Sequence, residues 1–211
     1  LAKAVESVIF DMDGTLIDAR EWHFRSLNEA LQIFGEEISI EEHLSSFDGL
    51  PTKVKLAALT ERGRIPKNIH GIVSAIKQDR TLREVAKNCF PKVEHLLLMS
   101  WLRAREIPIA VATNSIRATA ETMLRSSGVL GFIDCLVTNE DVRRAKPDPE
   151  IYLVACEKLG VSPANTIVIE DHPYGVEAAK KAGCDVIQVS GPWDVTTKLI
   201  ESHMLMNGRG F

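Results

Sequence analysis

Asp11-Met12-Asp13-Gly14-Thr15 follows directly on the apolar run Val8-Ile9-Phe10. Two carboxylates that straddle one residue at an extended exit can both face a single site. Gly14 lets the chain turn at once and presents backbone amides to an anion. The plainer reading of the same residues is an Asx-turn that opens a loop. An EF-hand calcium loop does not fit, because residues 15–21 lack further oxygen ligands at the required spacing. Two other polar groups stand in equivalent places: Thr113-Asn114 after Ile107–Ala112, and Glu170-Asp171 after Thr166–Ile169. Lys146, in Arg-Ala-Lys-Pro-Asp-Pro, adds a cation that can balance carboxylates and hold a transferred phosphoryl group. Taken singly, Lys146 also reads as a solvated lysine before a helix, and Glu170-Asp171 as acids favoured by a helix dipole. Four carboxylates brought to one place repel one another and call for a cation, and an all-oxygen ligand set suits magnesium better than zinc.

The elements that must position these groups are short runs rich in β-branched residues: Val5–Phe10, Ile107–Ala112, Ile133–Val137, Thr166–Ile169 and Asp185–Val189. Helical punctuation separates the last four. Asp148-Pro149 reads as an N-cap with proline at the first helical position, and Gly160 and Gly183 fall where helices stop. Strand–helix alternation predicts an α/β fold, a doubly wound parallel sheet with both faces covered. Ligands in such sheets bind at the carboxyl ends of the strands, where the polar groups fall. Residues 18–90 differ and contain no convincing strand. Phe24, Leu27, Leu31 and Phe34 recur at helical spacing before Gly35, and Ile69, Ile72, Val73 and Ile76 repeat the pattern. The expected organisation is a core of residues 1–17 and 91–211 with an all-helical insert at 18–90, entered near Asp18 and left near Pro91.

The totals exclude other classes. The chain has 211 residues, 45% hydrophobic and 26% charged, the balance of a globular enzyme. A net charge of −4 gives no electrostatic footprint for nucleic acid or an acidic membrane. No apolar run of about 18 residues is present, so no membrane span is expected. With no visible secretory signal the expected location is cytoplasmic, although Leu1 leaves room for an initiator or a leader upstream. Cys89, Cys135, Cys156 and Cys184 show no C-x-x-C spacing and read as buried free thiols. Trp22, Trp101 and Trp193 read as core or cap packing, and Leu96–Met99 as a buried helix face.

The four motifs, in this order and over nearly the whole length, resemble the haloacid dehalogenase-like superfamily, in the branch with a helical cap inserted after the first strand. The resemblance implies a Rossmann-like core and gives each motif a role. D-M-D-G-T is similar to the first family motif, with Asp11 as nucleophile and Asp13 as general acid/base. V-A-T-N-S resembles the second, with Thr113 and Asn114 holding phosphoryl oxygens. R-A-K-P-D-P-E-I-Y resembles the third through Lys146, and V-I-E-D-H the fourth. There Glu170 and Asp171, with Asp11 and Asp13, are the expected ligands of Mg2+. Asp13 is retained, which fits phosphoryl transfer: a positioned carboxyl can protonate a leaving alkoxide and then deprotonate water.

In the cap, Asp18-x-x-Glu21-x-His23-Phe24-Arg25 is similar to the matching stretch of β-phosphoglucomutases, and Lys77 matches a cap lysine that contacts sugar hydroxyls. In those mutases an arginine grips the distal phosphate of a bisphosphate; here Thr52 stands at that point, with Lys53 beside it. His23, Thr52, Lys53 and Lys77 are thus the candidate substrate residues of the cap. His172-Pro173-Tyr174 replaces a small, serine-led stretch after the acid pair, where His172 can narrow the site. The expected function is hydrolysis of the phosphate monoester of a small, sugar-like metabolite, by a monomer or weak dimer with no nucleic-acid or membrane partner. The alternatives are a sugar-phosphate mutase and a metabolite-binding protein without activity.

Overall fold

A computed structural model describes residues 4–210. Contacts divide the chain into two compact units, Leu1–Asp18 with Phe90–Phe211, and Ala19–Cys89. The first carries, in chain order, β1 (Ser7–Phe10). The second carries α1 (Arg20–Gln32), α2 (Ile40–Glu42), a π-helical turn (His43–Phe47), α3 (Thr52–Glu61) and α4 (His70–Asn88). The first unit then resumes with α5 (Val93–Arg103), β2 (Ile109–Ala112), α6 (Arg117–Ser126), β3 (Cys135–Val137), α7 (Glu150–Leu159), β4 (Thr166–Glu170), α8 (Pro173–Ala182), β5 (Asp185–Gln188) and α9 (Thr197–Met206).

The five strands form one parallel sheet in the order β3-β2-β1-β4-β5. Val8, Ile9 and Phe10, Ile109 to Ala112, and Ile167 to Ile169 are fully buried. That follows from their position in the middle of a sheet with helices on both faces, where no side is left for water. The chain runs to one side of β1 for β2 and β3 and to the other for β4 and β5, so a crevice opens at the carboxyl ends of the central strands. Phe10 pairs with Ile169, which puts the next residues, Asp11 and Glu170, side by side at that edge. The helices stop where the sequence places their glycines: Gly160 and Gly183 cap α7 and α8 in the left-handed conformation. The start of α7 differs from expectation. It begins at Glu150, one residue after Pro149, although the Asp148 carboxylate still accepts the Glu150 N–H at 3.1 Å.

The helical unit has its own core of Leu27, Ala30, Leu31, Ile38, Phe47, Leu56, Leu59, Ile65 and Val73. Phe34 and Ile72, grouped with these by spacing, are exposed instead. Arg64 ties the unit's loops together through Glu36 and Glu42, both at 2.6 Å. His43, at the start of the π-helical turn, is buried with neither ring nitrogen hydrogen-bonded. It packs against Phe24 at 4.8 Å, and the Asp48 carboxylate stands 3.7 Å away. Burial and the nearby Lys55 ammonium push its pKa down to about 4.

Other packing expectations need correction. Cys89 and Cys156 are buried, but Cys135 and Cys184 are half-buried. Leu97 and Trp193 are exposed, not packed. Trp193 instead lies over Gly191, where a Cβ would come within 2.3 Å of its ring. Among the described residues no helix is long and apolar enough to cross a membrane.

Candidate active site

Lys146 sits at the centre of the crevice, 5% exposed. Its ammonium donates to Asp11 Oδ1 at 2.6 Å, to Glu170 Oε1 at 2.6 Å and to the Ala112 carbonyl at 2.9 Å. A lysine has three N–H donors, and all three are thereby engaged. Burial alone would favour the neutral amine, but the Asp11 and Glu170 carboxylates outweigh it and hold the group protonated well above its usual range. The lysine reaches these partners because the loop before α7 carries it beneath the ends of β1 and β4. Of the two tasks the sequence suggests, balancing carboxylates and holding a phosphoryl group, the contacts formed serve the first.

Asp11 is buried, and its N–H is bonded to the Ile169 carbonyl at 2.9 Å. Burial first, then the Glu170 carboxylate, push its pKa up, against the pull of Lys146. Glu170, 1% exposed, takes a second donor on the same Oε1, the Tyr152 hydroxyl at 2.8 Å, while its Oε2 accepts the His172 N–H at 3.1 Å. Asp171 accepts from the Thr15 hydroxyl at 3.2 Å. It stands so close to the first loop that a Cβ on Gly14 would lie 2.1 Å from its Oδ2. That approach and a φ of +97° together favour glycine at this position.

Asp11, Glu170 and Asp171 each bring an oxygen within 4.8 Å of the others. One ammonium cannot balance three clustered carboxylates, two of them buried, so the donor set fits a hard divalent cation. Asp13 is not in this group. Its Oδ2 accepts from the Ser115 hydroxyl at 2.8 Å and the Thr113 hydroxyl at 3.3 Å. Asn114 accepts the Lys146 N–H on Oδ1 at 3.3 Å, and its carbonyl accepts from Asn139 at 2.7 Å. His172 is the N-cap of α8: its Nδ1 accepts the Tyr174 N–H at 3.2 Å, and the two rings pack at 5.0 Å.

Within the helical unit, His23 on α1 and Lys77 on α4 meet at 2.9 Å, the lysine ammonium donating to His23 Nδ1. Thr52 and Lys53 open α3, the first half-buried and the second exposed. Ser115, Thr15 and Tyr152 belong to the site but were not singled out from sequence. Ser115 stands in the T-N-S run and Tyr152 one helical turn into α7 from Asp148.

The model of the haloacid dehalogenase-like hydrolase family matches residues 8–189. The chain belongs to this family. It is therefore a hydrolase of the phosphatase type, an α/β core with a helical cap. It is similar to a phosphorylated carbohydrates phosphatase of Thermotoga maritima, 32% identical over 87% of this chain and 84% of that one. It is also similar to a fructose-1-phosphate phosphatase of Escherichia coli, 32% identical over 86% of this chain and 95% of the other. Among solved structures, CbbY from Rhodobacter sphaeroides in complex with phosphate is 26% identical, with a TM-score of 0.79 over 89% of this chain and 87% of that chain.

Proposed function

We propose that this haloacid dehalogenase-like hydrolase is a magnesium-dependent phosphatase of a small sugar-like phosphate monoester, working through a phosphoryl group carried on Asp11. The observation that carries the reading is the setting of Asp11. It is buried at a strand end, with Lys146 on one oxygen and two further carboxylates within reach of a shared cation. Asp11, Glu170 and Asp171 would hold Mg2+, which when bound offsets charge on the phosphoryl oxygens.

Lys146 occupies Asp11 Oδ1, which leaves Oδ2 to attack phosphorus. As that bond forms, the ester P–O bond breaks and the leaving oxygen takes a proton from Asp13. Ser115 and Thr113 both donate to Asp13 Oδ2 and so fix the carboxyl for this transfer. In the second half Asp13 takes a proton from water, the water oxygen bonds to phosphorus, and the bond to Asp11 breaks to release phosphate. Thr113 and Asn114 would hold the phosphoryl oxygens, while the Lys146 ammonium, bonded to Asp11 Oδ1, offsets charge from behind the nucleophile.

The substrate class rests on the relatives, two of which are phosphatases of phosphorylated carbohydrates. In the cap, His23 and Lys77 would meet the sugar. Thr52 disfavours the mutase, because a second phosphate is best gripped by a planar bidentate cation and threonine has none.

The test is phosphate release from p-nitrophenyl phosphate and a panel of sugar phosphates, with and without magnesium, for wild type and Asp11→Asn. Turnover should need the metal, and the variant should lose about a thousandfold or more, equivalent to about 4 kcal/mol of transition-state stabilisation. Full activity after exhaustive chelation refutes the metal. Conversion of β-glucose 1-phosphate to glucose 6-phosphate much faster than phosphate release, with a trace of bisphosphate present, establishes the mutase instead.

A further inference from the structure

Tyr152 is fully buried on α7, yet it carries a polar hydroxyl that touches no substrate position assigned above. That hydroxyl donates to Glu170 Oε1 at 2.8 Å, the same oxygen that takes Lys146 Nζ at 2.6 Å. A carboxylate oxygen has two lone pairs, so these two donors fill Oε1. Among the described residues Oε2 accepts the His172 N–H at 3.1 Å alone and keeps one lone pair. Glu170 is thereby turned so that a single oxygen, Oε2, is left for a cation. The Tyr152 ring also lies 4.9 Å from Lys146 Nζ and steadies the ammonium between its two carboxylates.

Monodentate and bidentate carboxylates suit different ions. Magnesium keeps a tight octahedron with one oxygen from each carboxylate, whereas calcium takes six to eight oxygens and readily accepts both from one carboxylate. Resting on the metal-dependent reading above, we infer that Tyr152 is a positioning residue that sets the metal preference of the site: by saturating Glu170 Oε1 it denies calcium a bidentate ligand and keeps the site fitted to magnesium.

The experiment is calorimetric titration of metal-depleted wild type and Tyr152→Phe with Mg2+ and with Ca2+, in the absence of substrate. Phenylalanine keeps the ring beside Lys146 and removes only the hydroxyl. The ratio of calcium to magnesium affinity should rise about tenfold in the variant, with the magnesium affinity itself changed by no more than about threefold. An unchanged ratio overturns the proposal while leaving the metal site standing. If wild type binds neither ion, the metal reading fails and takes this inference with it.

A measurement on wild type guards against a variant that does not fold. The chain has two tyrosines, so labelling the phenol carbon with 13C gives two resonances, with Tyr174, partly exposed on α8, as the reference. Calcium, which can gain a second Glu170 oxygen only by weakening the hydroxyl's bond to Oε1, should move the Tyr152 resonance at saturating concentration, and magnesium should leave it in place. Equal shifts with both ions overturn the proposal.

Discussion

A Cβ on Gly175 would lie 1.6 Å from Glu170 Oε1. The glycine, in the first turn of α8, lets the carboxylate lie flat against the helix, where Lys146 and Tyr152 reach it. Gly175→Ala should therefore destabilise the protein by about 1–3 kcal/mol through overpacking. In an unobstructed helix the same change would stabilise by about 0.8–1 kcal/mol, so the sign decides. Urea denaturation reads it, and a more stable variant would contradict the described position of Glu170.

Lys146→Met should be more costly. It leaves Asp11 and Glu170 buried side by side without the ammonium that now bonds both. Breaking a buried ion pair from one side costs about 3–5 kcal/mol. The loss should shrink on adding magnesium, which supplies positive charge at the same place. Denaturation curves with and without the ion test both parts. A variant as stable as wild type without metal would show that the lysine is not the counter-charge.

Ser115→Ala removes the shorter of the two hydrogen bonds to Asp13 Oδ2. If Asp13 is the general acid proposed above, it is then less firmly aimed, and kcat should fall about tenfold, a part of the roughly hundredfold or more that positioned proton transfer contributes, while KM stays close to wild type. Thermal stability should barely change, because Ser115 is half-buried. A change in KM alone would reassign the serine to substrate binding.

The helical unit should weaken in acid. His43 has a folded-state pKa of about 4, below the roughly 6.5 of an unfolded histidine. The unfolded chain therefore takes up the proton first. Stability is complete above about pH 6.5, declines as the pH falls toward 4, and declines no further through this group below that. Arg20, His23 and Lys55 oppose the charged ring, and only Asp48 favours it. Hydrogen exchange of peptides from Ala19–Cys89 at pH 7 and pH 5 should show faster opening at the lower pH, and His43→Leu should flatten the difference.

The strands were legible because apolar runs in a covered parallel sheet have no alternation to confuse them; Thr166 and Asp185 do begin strands, whereas the other three starts were placed two residues early. Val5, Ile107 and Ile133 are apolar and lead into strands, but lie before the ladder begins. Apolar type reports burial, and burial extends past pairing. The opposite error appears at Leu97, Ile72 and Trp193, where apolar type did not mean burial. Which face of a helix is covered depends on neighbours that spacing does not name. Carboxylates at strand ends converge by topology alone, so Asp11, Glu170 and Asp171 could be read together. Ser115 and Thr15 act on Asp13 and Asp171 from 102 and 156 residues away along the chain. Their roles are set by three-dimensional partners, and a serine or threonine in a loop carries no mark of that.

The order of strands in the sheet also bears on how the chain is made. β1 emerges from the ribosome well before its neighbours in the ladder, which begin at Ile109 and Thr166. The helical unit, encoded in between, completes its own apolar cluster by Ile76. During synthesis the insert can fold while Val8-Ile9-Phe10 still waits unpaired, since domains form as they emerge. β1 is thus made before the other four strands of the sheet and is among the last to be secured, and the nascent chain must keep its sticky edge from foreign strands until β4 arrives.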